Sequence, residues 1–301
     1  MSTTAKVTTI AEYSQHDALE QTLRGIKAYA DSRRTMRATS DKLIIARDTI
    51  SSAFEHRVFS GSDTVKSAVA ELRAYRLVAP STSISTGDLI KLVPIKPVPV
   101  PQPVRNTPLD VGIEIKNLPH DDVWVWGNQS RHEKDKALGI ANMFGACGNA
   151  DLAGVPTKDD DHLEGATGVI DFITTDRRAF VNVTATVLNN WSYGVQAHGG
   201  GSSATSKGGI DMAAYRDGQA IDGPRRLELF SDYANDFNQV EHTGRGTENV
   251  QVNFTIEPGE VVGVPFGAWL VCDHSSGIGT AGAYGSVALQ IVSLTIVKHF
   301  L

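Results

Sequence analysis

The sequence has little cysteine, two residues in 301. That count excludes a disulfide-stapled scaffold, which compensates for a small core with several bridges. It also lacks a run of about 18 uncharged apolar residues, so no membrane-spanning helix is expected. The most apolar stretch, residues 285–301, is interrupted by Gln290, Lys298 and His299 and is rich in β-branched side chains, and it reads as a buried strand. An excess of basic charge is missing too. There are 28 Lys and Arg against 34 Asp and Glu, a formal charge of −6, and a nucleic-acid binder is not expected on that balance. The opening residues MSTTAKVTTIAEYSQHD hold no apolar signal-peptide core. The expectation is synthesis as a soluble cytoplasmic protein, then release or assembly into a particle, with Cys147 and Cys272 as free thiols.

Catalytic signatures are absent as well. The sequence contains no G-x-S-x-G, no H-E-x-x-H and no paired-cysteine zinc motif. The glycine-rich run Gly199–Gly209 lacks the P-loop order, so it reads as a flexible loop at one end of a sheet. No enzyme activity and no cofactor are expected.

What is present divides the chain into three parts. Residues 1–80 show apolar positions at helical spacing, among them Ile10, Tyr13, Leu19, Leu23, Ile26 and Ala30. Two more amphipathic stretches follow, 35–58 and one beginning at Ser62 or Asp63. An isolated amphipathic helix is unstable until its stripe is covered. An intramolecular bundle, a helical association with other copies or a lipid surface would cover it. This first part carries 12 basic and 9 acidic side chains, whereas the remainder carries 16 and 25.

Residues 81–108 are rich in Ser and Thr and then in Pro. Pro94, Pro97, Pro99, Pro101 and Pro103 fall within ten residues. Each fixes φ and lacks an N–H, which favours an extended spacer over helix or central strand.

From 109 to 301 the period becomes two. Val111, Ile113 and Ile115 alternate with Gly112, Glu114 and Lys116, and residues 123–126 read as a strand. Residues 127–164 read as irregular, apart from a short apolar run at 140–144. Regular strand signals concentrate in 165–301, at 167–173, 179–188, 210–215, 226–230, 249–257, 261–272 and 286–297. Pro258-Gly259 supplies a turn. The segments 261–272 and 286–297 are apolar on both faces, as suits strands covered on both sides. The expected fold class is α+β and multidomain: an N-terminal helical segment followed by an antiparallel β-sandwich, jelly-roll-like.

Two constellations offer chemistry. Trp191 and Tyr193 beside Asn190, Gln196 and His198 combine stacking rings with amide and imidazole donors, the residue types of a sugar site. Asp159, Asp160 and Asp161 cluster oxygen ligands for a cation, without the EF-hand spacing. The function expected from this architecture is a non-enzymatic, self-assembling structural or recognition protein, of the sort found in virions, phage tails, adhesins and lectins, with the helices mediating association and the β-sandwich presenting a binding or shell surface. It would be a homo-oligomer with a carbohydrate or cell-surface ligand as candidate partner. The alternative is a membrane-active, pore-forming toxin.

Overall fold

The computed structural model of the protein describes residues 15–35, 67, 110–127, 131–148, 162–276 and 280–301. The expected helices of 35–58 and 62–80, the 81–108 spacer and Asp159 to Asp161 lie outside the described residues, apart from residue 35 and a helical Ser67.

Residues 15–35 form one helix, α1. Asp17 stands in its first turn and Arg33 and Arg34 in its last, charges that complement the helix dipole. The strands are β1 (Val111–Asn117), β2 (Asp122–Gly127), β3 (Arg131–Asp135), β4 (Ile140–Gly148), β5 (His162–Thr174), β6 (Ala179–Arg216), β7 (Gln219–Ile256), β8 (Val261–Ser276) and β9 (Thr280–Phe300). All pairings are antiparallel. The strands β3 and β4 occupy the stretch expected to be irregular.

The two 38-residue strands organise the fold. The first half of β6, Ala179–His198, pairs with β9, and the second half, Ser202–Tyr215, pairs with β8. β7 follows β6 along its whole length. Sheet one is therefore β7-β6-β9, with β4 and β1 lying end to end along the far side of β9 and β3 beyond β4. Sheet two is β7-β6-β8-β5-β2. The strand signals at 179–188 and 210–215 belong to one strand, and those at 226–230 and 249–257 to another.

The Gly199–Gly209 run is the passage between these sheets, which corrects its reading as an end loop. Gly199 has φ 107° and Gly201 φ 78°, conformations that L side chains rarely adopt. Strands that switch sheets turn their corners at such positions. Across the corner the inward face changes parity. Val181, Val183, Ala185, Val195 and Ala197 are buried before it, and Ala204, Ser206, Ile210 and Met212 after it.

Both layers close on one core that also takes Met143, Leu163, Val262, Val264, Phe266, Leu270, Val287, Leu289 and Ile291. Polar contacts cross it: Ser206 Oγ donates to the Tyr284 carbonyl at 2.9 Å, and Cys272 Sγ lies 3.8 Å from the Gly145 carbonyl. The described residues within 15–35 and 110–301 form a β-sandwich with the N-terminal helix α1.

α1 lies on the outer face of sheet two. Ala18 and Ile26 join Trp124, Ala166, Ile170, Phe172, Ala213, Tyr215, Trp269 and Val271 in a second apolar cluster. The stripe of residues 15–35 is thus covered by the sheet, in place of the expected helix bundle or helical association. Small residues let the surfaces approach: Thr22 sits over Gly263, and Gly25 over the Tyr215 ring. Leu23, expected in the stripe, is exposed. This helix also explains why β8 is apolar on both faces.

Candidate functional site

The five residues expected to form a sugar site are not brought to one place. β6 runs without a register shift from Val187 to His198, so its side chains alternate strictly between faces. Trp191 and Tyr193 project with Val195 toward the core, while Asn190, Gln196 and His198 project from the opposite face. The rings of Trp191 and Tyr193 stack on one another with centroids 5.9 Å apart, and both pack on Phe230, at 5.6 and 4.8 Å. Trp191 also lies against Gly244. Tyr193 Oη donates to Asp232 Oδ2 at 2.7 Å, and its pKa is raised by burial and by that bond. On the other face, burial lowers the pKa of His198, whose ring meets Phe237 edge-on at 6.3 Å. Phe237 is 66% exposed and Tyr233 53%, so the open rings of this hairpin lie on β7.

Cys147 and Cys272 are both buried and form no disulfide with each other. Burial pushes the Cys272 thiol up to about 12, with Ser206 pulling the other way. A thiol held this far from its thiolate is a poor nucleophile.

A buried His–Asp pair was not legible in the sequence. His120 Nδ1 lies 2.7 Å from Asp171 Oδ2, with side-chain exposures of 0% and 1%. The His120 ring packs edge-on to Phe266, and Lys116 Nζ reaches Asp121 Oδ2 at 2.8 Å and the Phe172 carbonyl at 3.2 Å. A substrate cannot touch groups so enclosed. The pair ties the β1–β2 connection to β5.

A larger charged network underlies the C-terminal half of α1. Glu164 Oε1 accepts from Arg33 Nε at 3.0 Å and from Arg226 Nη1 at 3.4 Å. Arg226 Nε lies 3.6 Å from Asp211 Oδ2, and its guanidinium sits over the Trp269 ring at 4.8 Å. His162 Nδ1 pairs with Asp273. Burial pushes the Asp211 carboxyl up to about 6 even though Arg226 draws it down. The network holds α1 to the sheet.

The remaining distinctive surface is on sheet one. Val111, Ile113 and Ile115, the apolar set of β1, are 37%, 61% and 37% exposed. Across the sheet the row continues through His299 and Val297 of β9 to Phe180 of β6, which is also exposed. Among the described residues, β1 pairs with β9 alone, so its other edge has no strand partner.

No protein-family model matches this chain, and no curated protein matches it. A solved structure described as "Structure of infectious bursal disease virus Gt strain" aligns with 69% of this chain and 45% of that chain, at 9% identity and a TM-score of 0.12. The chain thus spans less than half the length of that one. A similarity at this level carries no argument about fold or function.

Among the described residues, no helix is long and apolar enough to cross a membrane. No group of three or more His, Cys, Asp or Glu among them could hold a metal ion.

Proposed function

We propose that the protein is a non-enzymatic, self-assembling structural protein whose copies associate through β1. The observation that carries this reading is the exposed apolar set Val111, Ile113 and Ile115 on an edge strand. A contiguous apolar patch on an edge is a surface that monomers avoid or cover. It asks for a partner that offers an apolar face and a row of backbone donors and acceptors together. β1 of a second copy offers both, and a two-fold arrangement lets each strand satisfy the other. The sandwich then serves as a wall, with α1 folded onto its other layer.

Size-exclusion chromatography with light scattering tests this on the full chain. The wild type should run as a homo-oligomer, and Ile113→Lys should shift it to smaller species without loss of the strand signal in circular dichroism. A monodisperse wild-type monomer at high concentration would overturn the reading.

A second reading concerns recognition. Tyr233 and Phe237 present open rings near the corner of β7, with Asn238 and Gln239 exposed beside Phe237. Rings with amides nearby suit a carbohydrate ligand. Glycan-array binding that is lost in Phe237→Ala would support it, and binding unchanged by that substitution would remove it.

A further inference from the structure

A small recess opens between α1 and the outer face of sheet two. Tyr29, Trp124, Trp126 and Tyr215 line it with Pro224, Pro265 and Asp211. The Asp211 side chain is only 7% exposed. Its Oδ2 lies 3.6 Å from Arg226 Nε, and its Oδ1 is buried and meets no hydrogen-bond partner; Arg226 Nε and Nη2 beside it are buried without a partner too. Buried polar atoms are nearly always satisfied, so an orphaned carboxylate oxygen in a recess points to a group that is supplied from outside.

We propose that this recess binds the ammonium head of a primary alkylamine, carried on a free amine or on a lysine side chain presented by a partner. Three features select that chemistry. The faces of aromatic rings are negative and attract cations. The carboxylate oxygen requires a donor, which an apolar group cannot give, and repels an anion. The space is about 10 Å³ for the centre of a water-sized group, enough for one such group. An –NH₃⁺ head has that size and carries three donors. A quaternary ammonium has no N–H and is too large, and a guanidinium is too broad.

The site uses the layer opposite to β1 and is independent of the assembly reading.

The test titrates the full chain with n-butylammonium chloride and follows tryptophan fluorescence and heat, with n-butanol, tetramethylammonium chloride and sodium acetate as controls. The expected result is a saturable signal with butylammonium alone, weakened about tenfold or more in Asp211→Asn, in line with loss of a charge-assisted hydrogen bond. Ala213→Val narrows the recess while keeping Asp211, and should abolish the signal too. Circular dichroism and urea midpoints establish that each variant is folded. If Asp211→Asn does not fold, Ala213→Val decides.

Nα-acetyl-lysine methylamide separates the two sources. Binding equal to that of butylammonium indicates a lysine side chain, and binding of butylammonium alone indicates a free amine. The proposal is overturned if butanol gives the same signal, if a folded Asp211→Asn or Ala213→Val binds as the wild type does, or if no amine gives a saturable change. That last result would leave the recess to a single water.

Discussion

The hydroxyl of Tyr284 on β9 reaches across Gly194 of β6 to donate to Glu241 of β7. A Cβ on Gly194 would collide with the Tyr284 ring, so the glycine is what lets one side chain bridge three strands. The neighbouring Tyr193, on the opposite face, donates to Asp232, in the half of β7 that pairs within sheet two. One tyrosine therefore fastens β7 within sheet one and the other ties sheet one to sheet two, and burial raises the pKa of each. Gly194→Ala should destabilise the protein by about 1–3 kcal/mol through overpacking. Tyr284→Phe, which keeps the ring and loses one hydrogen bond, should cost about 1 kcal/mol. Urea denaturation of both variants checks the order, and a Tyr284→Phe cost larger than that of Gly194→Ala would contradict this account.

Asp211 makes stability depend on pH in an unusual direction. Its folded pKa is raised to about 6 by burial, with Arg226 of β7 opposing and Glu164 of β5 adding to the rise. Tyr29 and Arg33 of α1 and Tyr215 of β6 are coupled to the same cluster. The folded state holds this proton more tightly than the unfolded chain, whose aspartates titrate near 3.9. The resulting stability is fully present below about pH 4 and is lost as pH rises through about 6, a change on the order of 3 kcal/mol. Asp211→Asn cannot titrate. The stability of this variant minus that of the wild type should therefore grow between pH 4 and pH 6.5, and urea midpoints across that range measure it. A difference that stays flat would show that Asp211 titrates normally.

The docking of α1 rests on few large side chains, so its polar clamp has weight. Arg33 Nη2 lies 2.9 Å from Glu164 Oε1, and Glu164 is nearly buried. Arg33→Ala removes a half-exposed partner and should cost about 1 kcal/mol. Glu164→Gln leaves Arg33 and the mostly buried Arg226 without their shared anion and should cost about 3 kcal/mol. Hydrogen exchange should show residues 15–35 losing protection in Glu164→Gln while the β6–β9 ladder keeps its own. Equal loss in both regions would mean that the helix is not a separable unit.

Much of the sandwich is legible as alternation. Val181, Val183, Ala185 and Val187 mark the first half of β6, and Val250, Val252, Phe254 and Ile256 mark the end of β7, because each set faces the core across a pleat. The continuity of β6 is not legible that way, since Ser202 to Gly209 bring almost no apolar side chains. Their inward positions are small because the layers meet closely there: a Cβ on Gly208 would run into Phe230 and Val287. A readable signal was present in Asp217-Gly218, a two-residue hairpin loop with φ values of 52° and 77°. It joins β6 to β7. Even so, an unbroken ladder from that turn would set Asp211 opposite Pro224. Irregularities between Met212 and Tyr215 set it opposite Arg226 instead, and sequence spacing does not disclose them. The five residues of the expected sugar site are divided between two faces for the reverse reason, because neighbours in sequence on one strand face opposite ways.

The corner of β6 gives a prediction that separates backbone strain from packing. At Gly201, with φ 78°, a Cβ would meet nothing within 4 Å, so a substitution there encounters the backbone penalty alone. Gly201→Ala should cost about 1–2 kcal/mol, the penalty of a left-handed conformation for an L residue. Gly201→Asn should cost less, because asparagine enters that region more readily. At Gly208 the backbone is unremarkable and the Cβ collides, so Gly208→Ala should cost about 1–3 kcal/mol through overpacking, and Asn there should be worse than Ala. The two sites should thus rank Ala and Asn in opposite orders in denaturant melts. If Asn is the worse substitution at both, the corner is set by packing and not by the sign of φ.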